Sequence, residues 1–209
     1  MISNNDKEAP NRGDYKGNTK YETEADMAKT PKLKLTHVAI FTRDLEKMVD
    51  FYTQALGLTV TDQGEALSAS VQMIFMSSDP DEHHQFVLIS GRPDNATFNV
   101  SQQFSFLVDS LDELRTTRDR VAAAGLEIAR TTTHGNAWSI YFNDPEDNQI
   151  EIYAHTPWYV PQPHAHPFDL SLPNDEIIEQ TEAHCRDDPG FMPVAEREKA
   201  MAKVMATVN

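Results

Sequence analysis

The sequence contains few of the residues that several classes of protein require. Its single cysteine, Cys185, can form neither an internal disulfide nor a C-x-x-C metal or redox motif, which favours a reducing, cytoplasmic location. Basic residues are scarce: 18 Lys and Arg stand against 33 Asp and Glu, and the formal net charge of -15 disfavours nucleic acid and anionic membranes as partners. No apolar run approaches the roughly 18 residues of a membrane-spanning helix. The N-terminal stretch also shows no secretory signal pattern, so we expect a cytoplasmic protein.

Composition divides the 209 residues into three parts. Residues 1–32 have almost no large aliphatic side chains and cannot bury enough apolar surface to order themselves, so we predict a flexible arm. Residues 33–155 carry a strongly patterned set of apolar residues and are predicted to form the compact domain. Residues 156–209 open with a proline-rich segment that is not expected to form regular structure, and two helical patterns follow, over 174–184 and 194–208.

The compact domain repeats one order of elements, a strand, a helix and three strands. The first copy, 33–91, has an amphipathic helix over 44–56, and the second, 101–155, has one over 109–124; a glycine ends each helix. Strands are predicted over 35–42, 58–61, 69–76 and 85–90, and again over 104–108, 126–131, 139–143 and 149–154. We predict an α+β fold in which paired βαβββ modules form a curved mixed sheet around a central cleft, with a helical C-terminal extension.

Two polar residues lie at strand positions that face the predicted cleft. Strand alternation points His37 and Glu151 away from the apolar residues that pack on the helices. A carboxylate in the middle of a central apolar strand is costly unless it is paired or bound to a cation. His37 and Glu151 are therefore candidate ligands of a divalent metal, although each could instead be a hydrogen-bonded structural residue.

Three separated motifs agree in order and spacing with those of a known superfamily. They are Leu-Thr-His-Val-Ala-Ile at 35–40, Asp-Phe-Tyr-x-x-x-Leu-Gly-Leu at 50–58, and Tyr-Phe-x-Asp-Pro-x-x-Asn-Gln-Ile-Glu-Ile at 141–152. Over about residues 33–155 the chain resembles the vicinal oxygen chelate superfamily, which includes glyoxalase I, extradiol ring-cleaving dioxygenases, epimerases and antibiotic-resistance proteins. The segments around 81–85 and 134–135 resemble small extradiol-dioxygenase-like members.

The resemblance implies a metal site with ligands at His37, Gln103 and Glu151. In extradiol dioxygenases the fifth strand supplies a second histidine, and this position is Gln103 here. Glyoxalase-type sites accept glutamine there but add a glutamate from the fourth strand, where this chain has Val87. Neither ligand pattern is complete. The implied cofactor is a divalent metal, Fe(II) in the dioxygenase case, with Mn, Zn or Ni as alternatives.

Four further residues belong to this predicted site. His83 and His84, at the mouth of the fourth strand, could substitute as metal ligands or could be exposed loop histidines. The resemblance implies that Tyr141, ten residues before Glu151, hydrogen-bonds the substrate. It also implies that His134, in the loop before that strand, assists proton transfer. A packing tyrosine and a turn histidine are the alternatives.

These residues predict a metal-dependent, dioxygenase-like enzyme that cleaves the ring of a small catechol-type aromatic. A metal-poor small-molecule binding or resistance-type protein of the same fold is an alternative, favoured by Gln103 and Val87. A glyoxalase or isomerase that uses zinc or nickel is another. The expected partner is a small aromatic substrate, and a homodimer is expected because members of the resembled family commonly dimerise.

Overall fold

Two βαβββ modules follow each other along the chain, as the repeat predicts. The computed structural model describes residues 33–66 and 70–206, so the predicted arm, 1–32, lies outside the described residues. The first module consists of β1 (Val38–Thr42), α1 (Leu45–Asp50) with a π-helical continuation (Phe51–Ala55), β2 (Thr59–Glu65), β3 (Gln72–Ser77) and β4 (Phe86–Ser90). The predicted first strand is shorter than expected, and His37 directly precedes it.

The second module repeats this order with a longer helix. It consists of β5 (Phe104–Leu107), α2 (Leu111–Ala123), β6 (Arg130–Thr133), β7 (Ala137–Asn143) and β8 (Gln149–His155). The side chain of Ser110 caps α2 by accepting the N–H of Glu113. The strand predicted over 126–131 begins only at Arg130, because Leu126 and Ile128 pack against the core from a segment without regular structure.

Each module forms a mixed sheet in which the first strand pairs in parallel with the last. The strand orders are β1-β4-β3-β2 and β6-β7-β8-β5, and a strand of the C-terminal extension, β10 (His166–Pro167), extends the second sheet beside β6. The parallel pairs are β1 with β4 and β5 with β8, and the other pairs within the modules are antiparallel. The predicted α+β fold of paired βαβββ modules is confirmed.

The C-terminal extension has more regular structure than its prolines predict. It contributes three short strands, β9 (Trp158–Tyr159), β10 (His166–Pro167) and β11 (Met192–Pro193), and two helices, α3 (Asn174–Cys185) and α4 (Val194–Ala206). β10 pairs antiparallel with β6 and adds a fifth strand to the second sheet. A proline is compatible with this position because β10 is an edge strand. The two predicted helices are present.

The core lies between the helices and one face of each sheet. The largest fully buried side chains come from the helical segments and from the strands, and they include Tyr52, Met48, Leu114, Val121, Leu88, Ile140, Phe142 and Ile150. Because alternate strand residues point to opposite faces, burial of Ile150 and Ile152 leaves Glu151 on the other face of β8. None of the helices in the described parts of the chain has the length and apolar character that a bilayer span requires.

A buried glutamate in the turn between β7 and β8 joins the two modules. Glu146 Oε1 accepts hydrogen bonds from the main-chain N–H of Arg43 at 2.6 Å and of Asp44 at 2.9 Å. Its Oε2 lies 3.5 Å from Nη1 of Arg92. The start of α1 favours a carboxylate because its first N–H groups have no helical partner. The turn between β7 and β8 in the second module is thereby attached to α1 of the first module.

Candidate active site

A row of polar side chains crosses the second sheet on the face opposite its helix. Strand pairing places Arg130 opposite Tyr141, Tyr141 opposite Glu151, and Glu151 beside Ser105. Paired residues project to the same side of a sheet, so these four side chains share one face. We name this group the polar row; it runs across β6, β7, β8 and β5.

Glu151 lies at the centre of the polar row and is only 8% exposed. Its Oε2 accepts hydrogen bonds from Gln103 Nε2 and from Ser105 Oγ, each at 2.6 Å, and its Oε1 accepts one from the Tyr141 hydroxyl. These donors offset the cost of burying the carboxylate. A carboxylate has about four lone-pair positions, so three donors leave Oε1 able to contact a cation.

Tyr141 connects Glu151 with His134. The Nε2 atom of His134 lies 2.8 Å from the Tyr141 hydroxyl oxygen and 4.0 Å from Oε1 of Glu151. Burial of the phenol, together with the hydrogen bond and negative charge of Glu151, raises the pKa of Tyr141 to about 12. The phenol is therefore protonated at neutral pH and acts as a donor. The two residues predicted as catalytic are in direct contact.

Arg130 covers the ring of Tyr141 and was not found by sequence reasoning. Its Cζ lies 3.8 Å from the ring centroid, within the range of a cation–π contact. Hydrogen bonding by its side chain lowers the pKa of Tyr141 and so opposes the upward shift. The only sequence signal for this contact is the register of the β6–β7 hairpin, which depends on where β6 begins.

Two of the predicted metal ligands, His37 and Gln103, line a cavity of about 580 Å³ between the modules. Its apolar wall includes Phe86, Phe104 and Phe106. Phe104 and Phe106 pair with Ile150 and Ile152, so they lie on the face of the second sheet opposite Glu151. Gln103 also contacts Glu151 through the 2.6 Å hydrogen bond described above. Gln103 thus borders the same cavity as His37 and is hydrogen-bonded to Glu151.

The histidine pair of the first module lies at the edge of this site. The ring centroid of His84 is 4.4 Å from that of His37, and Nδ1 of His83 is 2.8 Å from Nδ1 of His84. Burial, with neighbouring His37 and His83, lowers the pKa of His84 and favours the neutral imidazole that metals bind. The exposed ring of His83 lies 3.8 Å from Asp62. Of the two histidines, His84 is therefore the one in ring contact with the predicted ligand His37.

The donor set available to a metal depends on Gln103. Within residues 33–66 and 70–206, no three His, Cys, Asp or Glu side chains are arranged to hold a metal ion. A set of three ligands therefore needs the Gln103 amide oxygen, which is not used in the bond from its Nε2 to Glu151. Imidazole nitrogen, amide oxygen and carboxylate oxygen suit a divalent ion. The residues present are compatible with such an ion.

The fold and the site together define a paired-module α+β protein that presents a buried carboxylate near a ligand cavity. The sequence pattern of the Glyoxalase/Bleomycin resistance protein/Dioxygenase superfamily matches residues 34–152. The chain belongs to this superfamily, and the predicted resemblance is confirmed.

Two curated relatives and one solved structure are similar to part of the chain. Biphenyl-2,3-diol 1,2-dioxygenases 2 and 3 of Rhodococcus globerulus are 28% and 30% identical to it over 130 and 135 residues. Each match covers 60% of this chain and 64% of the relative, so the chain spans less than two thirds of their length. A solved glyoxylase/bleomycin resistance protein/dioxygenase domain from Frankia sp. EAN1pec shares the fold, with a TM-score of 0.52 and 21% identity over 60% of this chain and 100% of that one.

Proposed function

We propose that the protein is a metal-dependent, dioxygenase-like enzyme that cleaves the ring of a small catechol-type aromatic. The observation that carries this proposal is the hydrogen-bonded chain of His134, Tyr141 and Glu151, which combines an imidazole, a phenol and a carboxylate. The similarity to two biphenyl-2,3-diol 1,2-dioxygenases supports the same reaction class.

In this proposal His37, Gln103 and Glu151 hold a divalent metal, Fe(II) first, with Mn, Zn or Ni as alternatives. When bound, such a metal acts as a Lewis acid toward the diol. Gln149 supports an oxygen-bearing ligand on this face, because its Nε2 is buried and has no hydrogen-bond partner among the described residues. It lies two residues before Glu151, on the same side of β8.

The side chains of the site have separate tasks in this reaction. Tyr141, which its raised pKa keeps protonated, donates its single hydroxyl hydrogen to Glu151. His134 takes up and releases a proton at Nε2. The substrate occupies the cavity beside His37 and Gln103 in this proposal.

Metal content tests the ligand assignment directly. Protein loaded anaerobically with Fe(II) and desalted is expected to retain roughly one iron per chain and to open catechol. His37→Ala or Glu151→Ala should abolish retention of the metal. The matched control is His155→Ala, at the exposed end of β8, which should retain it. Full iron occupancy in both ligand variants would overturn the site.

A metal-poor binding protein of the same fold is the second candidate. Two observations favour it: glutamine occupies the position of a histidine ligand, and the described residues contain no group of three His, Cys, Asp or Glu suited to a metal. In that case metal-free protein binds small aromatics, as tryptophan quenching would show, and Fe(II) adds no turnover. Ring opening that requires Fe(II) would exclude this candidate.

The proposal extends to a cytoplasmic homodimer. The single cysteine, Cys185, which is buried as a free thiol, supports a reducing location. Light scattering during gel filtration measures the assembly, and a mass near twice 23.6 kDa is expected.

A further inference from the structure

The loop that carries His134 is covered by chain from beyond the superfamily match. This loop, residues 134–136, joins β6 to β7. It contacts residues 156–166, which we name the strap and which follow the end of the match at residue 152. The strap ends in β10, which pairs with β6. The strap is therefore attached to the sheet that carries the polar row.

Three hydrogen bonds join the strap to the residues that follow His134. Thr156 donates from its main-chain N to Asn136 O at 3.0 Å and from Oγ1 to Gly135 O at 2.7 Å. The main-chain N of Val160 donates to Oδ1 of Asn136 at 2.7 Å. Thr156, Val160 and Gly135 are buried, so these bonds are shielded from water.

The strap also holds His134 itself, at two points. Gln162 Nε2 donates to the main-chain oxygen of His134 at 2.7 Å, and His134 Nδ1 lies 2.9 Å from the main-chain oxygen of His164. A carbonyl oxygen can only accept, so the hydrogen of the second bond is on Nδ1. Nε2 is then the nitrogen that faces the Tyr141 hydroxyl.

We propose that the strap is a positioning element of the active site, with the Gln162 amide and the His164 carbonyl as its positioning groups. Together they set the backbone and the ring of His134 so that Nε2 meets Tyr141 while Nδ1 keeps its hydrogen. The inference rests on the proposed function, in which His134 transfers a proton. The orientation of the ring is nevertheless measurable without any turnover.

A substitution at Gln162 tests the proposal in the full-length chain. Gln162→Glu keeps the shape of this exposed side chain but replaces the donor with a carboxylate oxygen that repels the carbonyl of His134. Gln180→Glu, on the exposed side of α3, adds the same charge outside the strap and is the control. Both substituted side chains are exposed, so neither substitution changes a buried contact of the core.

Nuclear magnetic resonance of metal-free protein with ¹⁵N-labelled histidine gives the first measurement. The Nδ1–H of His134, identified by its loss in His134→Gln, should exchange slowly with solvent in the parent chain. Gln162→Glu is expected to speed this exchange by about tenfold, as the loss of a hydrogen bond would. The control should match the parent. Equal exchange in Gln162→Glu and the parent would overturn the proposal.

Kinetics give the second measurement. Gln162→Glu should lower kcat for catechol by about tenfold and change KM by less than about twofold, because the ring of His134 acts in the reaction rather than in binding. A raised KM with unchanged kcat would overturn the positioning role. Absence of ring cleavage in the parent chain would defeat the proposed function alone, since the exchange measurement needs no turnover.

Discussion

Burial and the neighbouring Glu151 carboxylate both disfavour ionisation of two phenols on the polar-row face of the second sheet. Burial and the carboxylate together raise the pKa of Tyr141, and the same two causes raise the pKa of Tyr153, which lies two residues further along β8. Both effects disfavour a phenolate, since it would place a second negative charge beside the first in a poorly solvated site. The face therefore presents protonated phenols at neutral pH.

Replacement of Tyr141 by phenylalanine tests this pKa. The folded state holds the phenol proton up to a pKa of about 12, whereas the unfolded chain releases it near the usual value of 10.0. The stabilisation from Tyr141 is therefore complete below about pH 10 and is lost as the pH rises toward 12. In a spectrophotometric tyrosinate titration, Tyr141→Phe should lack one late-ionising phenol that the parent chain shows.

Tyr159 supplies the control for this titration. Its ring lies in the strap under Arg197, away from Glu151, so Tyr159→Phe should retain the late step. Identical high-pH titrations of the parent and Tyr141→Phe would contradict the burial of the Tyr141 phenol against Glu151.

At the scale of elements, the first helix shows what hydrophobic spacing leaves open. The spacing predicts one helix over 44–56, but the chain changes to π-helical turns at Phe51. In this segment the hydroxyl of buried Tyr52 donates to Asp144 at 3.0 Å, and burial and Asp144 raise its pKa well above the usual value. The extra residue in a π-helical turn changes where each following side chain points. The acceptor of the Tyr52 hydroxyl, Asp144, belongs to the other module, so the hydrophobic spacing of this helix cannot predict the contact.

The loop before β7 permits a test of its packing against the strap. Gly135 has a φ of +74°, and a Cβ atom there would lie 2.2 Å from Cγ1 of Val160. Gly125, with a φ of +80°, has nothing within 4 Å of the same position. An alanine strains either backbone by about 1–2 kcal/mol, but only at Gly135 does overpacking add about 1–3 kcal/mol.

We therefore expect Gly135→Ala to lower the free energy of unfolding by about 2–5 kcal/mol, and Gly125→Ala by about 1–2 kcal/mol. Urea denaturation of both variants and the parent measures the difference. Equal losses would show that the strap does not press on the loop at Gly135.

For the whole molecule, the contact of Glu146 with Arg43, Asp44 and Arg92 is a polar link between the two modules. Glu146→Ala leaves partly buried Arg92 without its carboxylate and the start of α1 without its acceptor. Loss of one partner from a buried ion pair costs about 3–5 kcal/mol, and we expect this loss in the free energy of unfolding by urea.

Glu182→Ala is the matched control for this link. Its carboxylate pairs with Arg186 at 2.9 Å on the surface of α3, and an exposed pair four residues apart on a helix is worth about 0.5 kcal/mol or less. A loss in Glu146→Ala no larger than in this control would mean that the contacts of Glu146 do not stabilise the pairing of the modules.

Local patterns in the sequence were sufficient for the architecture and for part of the site. Strand alternation of period two, and two helical patterns that each end at a glycine, predicted both modules. The same alternation placed Glu151 on the face opposite Ile150 and Ile152. These properties depend on neighbours a few residues apart, so a linear pattern contains them. The same patterns predicted neither the start of β6 nor the pairing of β10.

The remaining features depend on residues that meet only after folding. Gln162 and His134 are 28 residues apart, and Arg43 and Glu146 are 103 apart. A hydrogen bond between such residues depends on strand register and loop path, and neither side chain has a distinctive local pattern. The link between the modules, the arginine over Tyr141 and the strap on His134 were therefore decided by tertiary packing, because each needs the second sheet to be complete before its partners lie within reach.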